Sequence, residues 1–262
     1  NVIRLDDNSL VSFWSDSSQD SSCSVSTDEG VSWSIIQSVT GNEDGLALAT
    51  NGSDIMYVGT SIGAGAGDLA YRHNTGGTCT TGAFTDTHAD DLDNWKADIA
   101  FDEVHDRYVV CSMDNDDSDI DVVYTSTASI SWSSAPGISG AVSSTSCSID
   151  VDDNGNVFIA SNEGASGIKV YNSSAGTFAS ITTQTAYASA VDNMHLSIRG
   201  TEILITAIDS ATSDLVIINS SDGITYSNTS YTGTFQDPEG CIDASGNYHI
   251  AMVSGSVLSY IR

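Results

Sequence analysis

Carboxylates are the chemistry-bearing groups of this chain, and they come in clusters. The segment Asp114-Asn-Asp116-Asp117-Ser-Asp119-Ile-Asp121 crowds like charges into one polar run. Such charges repel unless water or a hard cation lies between them, and Ca2+ takes oxygen ligands of this kind. Asp114, Asp116 and Asp119 are therefore candidate ligands, and Ca2+ is the cofactor the sequence puts forward. A solvated acidic turn explains the same residues without a metal. Asp150-Val-Asp152-Asp153-Asn154-Gly155 also matches the opening of a calcium loop. Ser161, however, stands where the closing glutamate belongs, and Asp-Asn-Gly is good hairpin chemistry by itself.

A second set of residues fits sugar recognition, which combines carboxylates and amides with an aromatic platform. Asp91, Asp93, Asn94 and Trp95 supply all three in one short stretch, and Asp44, Asp192, Asn193, Asp237 and Glu239 are the further candidates. Packing of Trp95 between sheets is the competing reading of that residue. Two carboxylates would also suit hydrolysis of a neutral glycoside, although nothing among so many acids singles out a pair. His73, His88, His105, His195 and His249 are scattered, and the Gly63-Ala-Gly65-Ala-Gly67 run precedes no helix, so it is no phosphate cradle.

The elements that must carry these residues repeat. Alternating segments followed by strongly apolar ones recur through the chain. Examples are Leu46-Ala-Leu48 with Ile55-Met-Tyr-Val58, Ile99-Ala-Phe101 with Tyr108-Val-Val110, and Ile149-Asp-Val151 with Val157-Phe-Ile159. Leu196-Ser-Ile198 with Ile203-Leu-Ile-Thr206, Ile242-Asp-Ala244 with Tyr248-His-Ile-Ala251, and Ile3-Arg-Leu5 with Leu10-Val-Ser-Phe-Trp14 complete the set. Polar turns separate them, and no stretch sustains a 3.6-residue apolar period, so strands are expected almost throughout. The aromatics Trp33, Phe84, Trp132, Phe178 and Tyr226 mark the same phase at separations of 51, 48, 46 and 48 residues. A period in this range signals a solenoid, propeller or array.

The first of these aromatics closes the segment Ser26-Thr-Asp28-Glu-Gly30-Val-Ser32-Trp33, and Ser220-Ser-Asp222-Gly223-Ile-Thr225-Tyr226 repeats it with one residue lost. Weaker echoes precede Phe84, Trp132 and Phe178. The pattern Ser-x-Asp-x-Gly-x-Ser/Thr-Trp resembles the Asp-box of the sialidase-like (BNR-repeat) β-propellers. Its chemistry is structural: a short carboxylate bonded to its own turn, beside a glycine at positive φ, fixes a hairpin. The following aromatic is expected to fill the gap between sheets. The resemblance implies an all-β, six-bladed β-propeller of four-stranded blades occupying residues 1–262 as one domain, with a five- or seven-bladed ring as the alternative. The last unit holds three strands, ending in Val257-Leu-Ser-Tyr260-Ile-Arg262. Its blade is therefore three-stranded, or its open edge pairs with another chain.

In such a ring the box turns lie on one face and the connections carrying Asp44, Asp91, Asp93, Asp192, Asp237 and Glu239 on the other, which is expected to be strongly acidic. The resemblance also allows a test for sialidase chemistry, which needs three arginines around an anionic sugar. Arg4 lies near a remnant of the family's Arg-Ile-Pro motif, but the order is changed and the proline is missing. Arg72, Arg107, Arg199 and Arg262 do not complete a triad. Sialidase activity is not expected.

Thirty-five Asp and Glu against seven Lys and Arg give a formal net charge of −28, which repels nucleic acid and anionic lipid. No segment is long and apolar enough to insert in a membrane. Sequons at Asn51, Asn172, Asn219 and Asn228 and five cysteines without metal-type spacing point to an extracellular, secreted protein. One or two disulfides with a thiol left over are expected, with Cys111 and Cys147 as the pair that adjacent blades would bring together. The expected function is a secreted, acidic, non-catalytic module binding a glycan or protein at its acidic face. The alternatives are a structural subunit that self-associates through its last blade and a neutral-glycoside hydrolase.

Overall fold

A computed structural model describes residues 2–15, 21–40, 43–61, 69–76, 84–90, 97–113, 120–135, 138, 146–174, 178 and 180–262. Six antiparallel sheets follow one another along the chain, five of four strands and a last one of three. This is the blade architecture of a six-bladed β-propeller, so the expected fold is met and the five- and seven-bladed alternatives are set aside. The chain divides into two compact units, residues 1–117 with 122–134 and residues 118–121 with 135–262.

The first unit contains β1 (Val2–Arg4), β2 (Leu10–Ser15), β3 (Ser21–Ser26) and β4 (Ser34–Thr40) as its first sheet. Its second sheet is β5 (Glu43–Thr50), β6 (Ile55–Ser61), β7 (Leu69–Asn74) and β8 (Phe84–Asp90). The third is β9 (Ala97–Asp102), β10 (Arg107–Met113), β11 (Ile120–Ser126, of which the first two residues belong to the second unit) and β12 (Ser129–Ser134). Leu5, Val11, Phe13 and Cys23 pack on Leu48, Ile55 and Tyr57 between the first two sheets. Met56, Val58, Leu69 and Tyr71 meet Ile99, Tyr108, Val110 and Val123 between the second and third.

The second unit begins with β13 (Ser146–Val151), β14 (Val157–Asn162), β15 (Ile168–Ser173) and β16 (Ile181–Tyr187). Next come β17 (Val191–Arg199), β18 (Glu202–Asp209), β19 (Leu215–Ser220) and β20 (Ser227–Tyr231), then β21 (Phe235–Ile242), β22 (Tyr248–Ser254) and β23 (Val257–Ile261). Strand β18 shows why the second strand of each unit is apolar without alternation. Ile203, Ile205 and Ala207 face the sheet before it, while Leu204 and Ile208 face the sheet after it. Both faces are buried, so period-two patterning has no polar phase. Each such side chain contributes roughly 1.5–3 kcal/mol of transfer free energy. The outer strand β20, Ser-Asn-Thr-Ser-Tyr, is exposed at every residue.

Side chains also tie neighbouring sheets together. Ser148 Oγ accepts the Leu196 N–H at 3.0 Å and Asp150 Oδ2 accepts the Ile198 N–H at 2.6 Å, each across 48 residues of sequence. Gly164–Ser166 form a 3-10 helix, and among the described residues no helix is long and apolar enough to cross a membrane.

Candidate functional site

The Asp-box turns lie between the third and fourth strands of their sheets. In the first, Ser26 Oγ donates to Asp28 Oδ1 at 2.8 Å and accepts the Gly30 N–H at 2.8 Å. Asp28 in turn accepts the Ser32 N–H at 2.8 Å and the Ser32 hydroxyl at 2.5 Å. The turn from β19 to β20 repeats this. Gly223 N–H donates to Ser220 Oγ at 2.9 Å, and Asp222 Oδ1 accepts Ile224 N–H at 2.8 Å and Thr225 N–H at 2.7 Å. Ser32 holds the Asp28 carboxyl down at about 2, and the Thr225 and Ile224 amides do the same for Asp222, also about 2. Gly223 is at φ 66°, and a Cβ there would lie 3.1 Å from the Phe158 ring.

The aromatic position behaves differently from expectation in the first box. Trp33 is 38% exposed, and its indole N–H donates to the Gly30 carbonyl at 3.1 Å, so it covers its own turn instead of filling a gap between sheets. Tyr226 and Trp132 do pack against their hydrophobic clusters. A repeat position that the aromatic spacing did not reveal is the buried polar residue ending or nearly ending the third strand of each four-stranded sheet: Ser26, Asn74, Thr125, Ser173 and Ser220. Thr125 Oγ1 accepts Ser131 N–H and Ser173 Oγ accepts Phe178 N–H, both at 2.9 Å, so the hydroxyl anchor outlives the box aspartate.

A second family of turns consumes further carboxylates. Asp152 Oδ1 accepts Asn154 and Asn156 N–H at 2.9 and 2.8 Å, and its Oδ2 accepts Asn156 Nδ2 at 2.8 Å. Asp243 makes the same bonds to Ser245 and Asn247. The Asp150–Gly155 segment is thus a hairpin whose aspartate serves its own backbone. Asp243 also meets His249 Nε2 at 3.0 Å, and His249 Nδ1 meets the Tyr260 hydroxyl. His249 first, then the Asn247 side chain and amide, hold the Asp243 carboxyl well below the usual range.

Among the described residues, two acids are buried in ion pairs. Asp102 accepts Arg107 Nε at 2.9 Å and pairs with His105 Nδ1 at 2.7 Å. Glu163 holds Lys169 Nζ at 2.5 Å and accepts the Tyr171 hydroxyl. Arg107 lies 5.2 Å over the Tyr124 ring as well, which commits this cation to the fold.

Asp192, Asn193, Asp237 and Glu239 contrast with these. They were expected in connections between blades, but they lie within the first strands β17 and β21. The reason is a bulge in each strand. Pairing of β17 with β18 slips between Asp192 and Met194, and pairing of β21 with β22 slips between Gln236 and Glu239. Asn193 (φ 44°) and Asp237 (φ 48°) take the left-handed conformation that Asn and Asp tolerate best, and Pro238, which lacks an N–H, fits the second bulge. Asp192, Asn193, Asp237 and Glu239 are all exposed while Pro238 is buried, and Asn193 Nδ2 donates to Asp237 Oδ1 at 2.8 Å, joining the two bulges. Thr206 Oγ1 holds the Pro238 carbonyl at 3.2 Å beneath them. Near the same end of the fifth sheet, burial pushes the Asp209 carboxyl up, but the Tyr187 hydroxyl and the Ala211 and Thr212 amides outweigh it and lower it.

Asp44 lies in β5, near a register slip between Gly45 and Ala47. Asp91, Asp93, Trp95, Asp114, Asp116 and Asp119 fall outside the described residues. Among the described residues no group of three or more His, Cys, Asp and Glu is placed to hold a metal. Cys23, Cys111 and Cys147 are disulfide-bonded, and Cys241 is a free thiol. Of the sequons, Asn228 is exposed on β20, Asn172 and Asn219 are half-buried in β15 and β19, and Asn51 Oδ1 accepts the Ser53 and Asp54 amides.

No protein-family model matches the chain, and no curated protein matches its sequence. Solved structures do share the fold. A protein of unknown function from Dyadobacter fermentans superposes with a TM-score of 0.69 at 12% identity, over 99% of this chain and 92% of that one. The Aleuria aurantia lectin, in complex with Fucα1-6GlcNAc, gives 0.64 at 11% identity over 100% and 93%. The Trypanosoma rangeli sialidase, in complex with the inhibitor DANA, gives 0.63 at 11% identity over 99% of this chain and 53% of that one. At these identities the likeness establishes the fold alone.

Proposed function

We propose that the chain is an exported, non-catalytic Asp-box propeller that recognises neutral glycans through the rim formed by Asp192, Asn193, Asp237 and Glu239. The observation that carries this reading is the Asn193–Asp237 hydrogen bond, which couples two bulged strands and holds an amide and a carboxylate side by side at the surface. Carboxylates and amides satisfy sugar hydroxyls, and their orientation is fixed by backbone that is already ordered, which reduces the entropy lost on binding. Three carboxylates at the rim oppose any anionic sugar. The lectin among the similar structures makes a glycan ligand natural for this fold, and disulfide-bonded cysteines favour an oxidising, extracellular setting. Trp95 stays the candidate aromatic platform, and Asp114, Asp116 and Asp119 the candidate Ca2+ ligands, on sequence grounds.

An array of neutral and sialylated oligosaccharides tests the reading. Neutral glycans should bind, and Asp237→Ala and Asn193→Ala should each weaken binding by about tenfold, the effect of a lost hydrogen bond to a charged group. Absence of any glycan binding would sink it. Turnover of neutral glycosides, lost in Glu239→Gln, would replace it with the hydrolase reading.

A further inference from the structure

We infer that His195 is a further ligand-binding residue of the rim, its imidazole meeting a sugar hydroxyl beside Asn193 and Asp237; this rests on the glycan reading above. His195 stands on β17 just past the bulge at Asn193 and pairs directly with Thr206 of β18. Residues directly opposite share a face, so the two side chains leave the fifth sheet on the same side. That side is turned to the sixth sheet. Leu204 and Ile208 of β18 pack there with Ile242, Ile250 and Met252, and Thr206 Oγ1 donates to the Pro238 carbonyl at 3.2 Å. Pro238 follows Asp237, whose Oδ1 accepts Asn193 Nδ2. Gly240 lets the two sheets close here, since a Cβ on it would lie 2.9 Å from Leu204 Cδ2 and from Thr206 Cγ2. The imidazole therefore projects into the layer beneath the rim pair.

This ring differs from other histidines of the fold in that its hydrogen-bonding capacity is unspent. His73 Nε2 meets Asp54 Oδ2 at 3.3 Å, His105 Nδ1 meets Asp102 Oδ2 at 2.7 Å, and His249 Nε2 meets Asp243 Oδ2 at 3.0 Å. In each, a carboxylate fixes the orientation of the ring and the site of its proton, as a structural role requires. Among the described residues nothing bonds His195 Nδ1, which is enclosed although the residue as a whole is half-buried. Folded proteins rarely leave an enclosed nitrogen unpaired, because its water is lost without replacement. The preceding sheet shows what a structural residue does at this place. Ser148 precedes Ile149 as His195 precedes Leu196, and its hydroxyl accepts the Leu196 amide of the next sheet at 3.0 Å.

A neutral imidazole offers one donor and one acceptor, and a sugar hydroxyl can answer either. Rotation about χ2, which is broad and roughly two-fold for histidine, carries a nitrogen to the solvent-facing part of the ring without disturbing the strand. A ligand seated on the Asn193–Asp237 pair is then met from below by His195. Amide, carboxylate and imidazole converge on it, each carried by backbone that is ordered before binding.

The imidazole nitrogen resonances of the isotope-labelled chain test this, with neutral oligosaccharides built from glucose, galactose, mannose, fucose and N-acetylglucosamine as probes. The expected result is that a binding probe moves the imidazole signal that His195→Gln removes and leaves those of His73, His105 and His249 in place. By calorimetry His195→Ala should weaken that probe about tenfold, the effect of a lost hydrogen bond. His195→Gln, whose amide restores a donor and an acceptor, should stay within about threefold of wild type at a nearly unchanged Tm. A His195 signal that stays still while Asp237→Ala lowers affinity would overturn this inference and leave the glycan reading standing. So would equal affinity of wild type and His195→Ala, or a loss of affinity in both His195 variants matched by a large fall in Tm. No response to any probe would overturn both.

Discussion

Asp28, Asp152, Asp222 and Asp243 differ from Asp192 and Glu239 in what occupies their oxygens. The four turn aspartates each accept hydrogen bonds from two or more groups of their own hairpin. Asp192 and Glu239 stand exposed on bulged first strands, flanking the Asn193–Asp237 pair. Carboxylates thus close turns in one setting and stand exposed at the surface in the other. In a chain with thirty-five acids, the number of carboxylates says little about a site; how their lone pairs are engaged says more.

The contrast can be broken most severely at Asp102, which is buried against Arg107 and His105. Asp102→Ala should lose about 3–5 kcal/mol in chemical denaturation, because a buried cation is left without its partner. The turn acids come next, and pH exposes them. The Asp28 and Asp222 carboxyls take a proton near 3.8 when unfolded and near 2 when folded. Their contribution is therefore complete above pH 4 and falls away as pH drops toward 2, since protons then bind the unfolded chain preferentially. Thermal melts of Asp28→Asn and Asp222→Asn should be flatter than wild type across that window; equal slopes would remove these acids from the stability of the fold. Both groups are solvent-exposed, so salt should shrink the difference.

A smaller effect separates the two boxes from each other. The first holds Glu29 at φ 59°, a residue the second lacks, and a non-glycine in that region costs about 1 kcal/mol. Glu29→Gly should raise Tm modestly, by no more than that amount, less what glycine loses in the unfolded chain. Smallest of all, Asp192→Asn and Glu239→Gln should change stability by less than about 0.5 kcal/mol while removing glycan binding. A large stability loss there would place them with the turn acids.

Much of the scaffold was legible because the box residues and the apolar runs follow directly from turn chemistry and two-sided burial. Asp28, Gly30, Asp222 and Gly223 lie in turns between third and fourth strands. The rim was only half legible. Asn193 and Asp237 were marked by type, but alternation of polar and apolar residues cannot announce a bulge, which inserts a residue without changing composition. The tolerance of Asn and Asp for positive φ was the one available signal. Partners distant in sequence, such as Tyr187 with Asp209, leave no local mark at all. The Asp-x-(Asn/Ser)-Gly-Asn turns at Asp152 and Asp243 were readable as a repeat and point to hairpins instead of calcium.

The bonds from Ser148 and Asp150 to main-chain amides one repeat further on make the fourth sheet a supplier of acceptors to the fifth. Excising or transplanting a single module would leave the Leu196 and Ile198 amides stranded in a half-enclosed surface. Gains and losses of whole units by unequal recombination should therefore be tolerated only where the incoming segment carries a hydroxyl and a carboxylate at those two places.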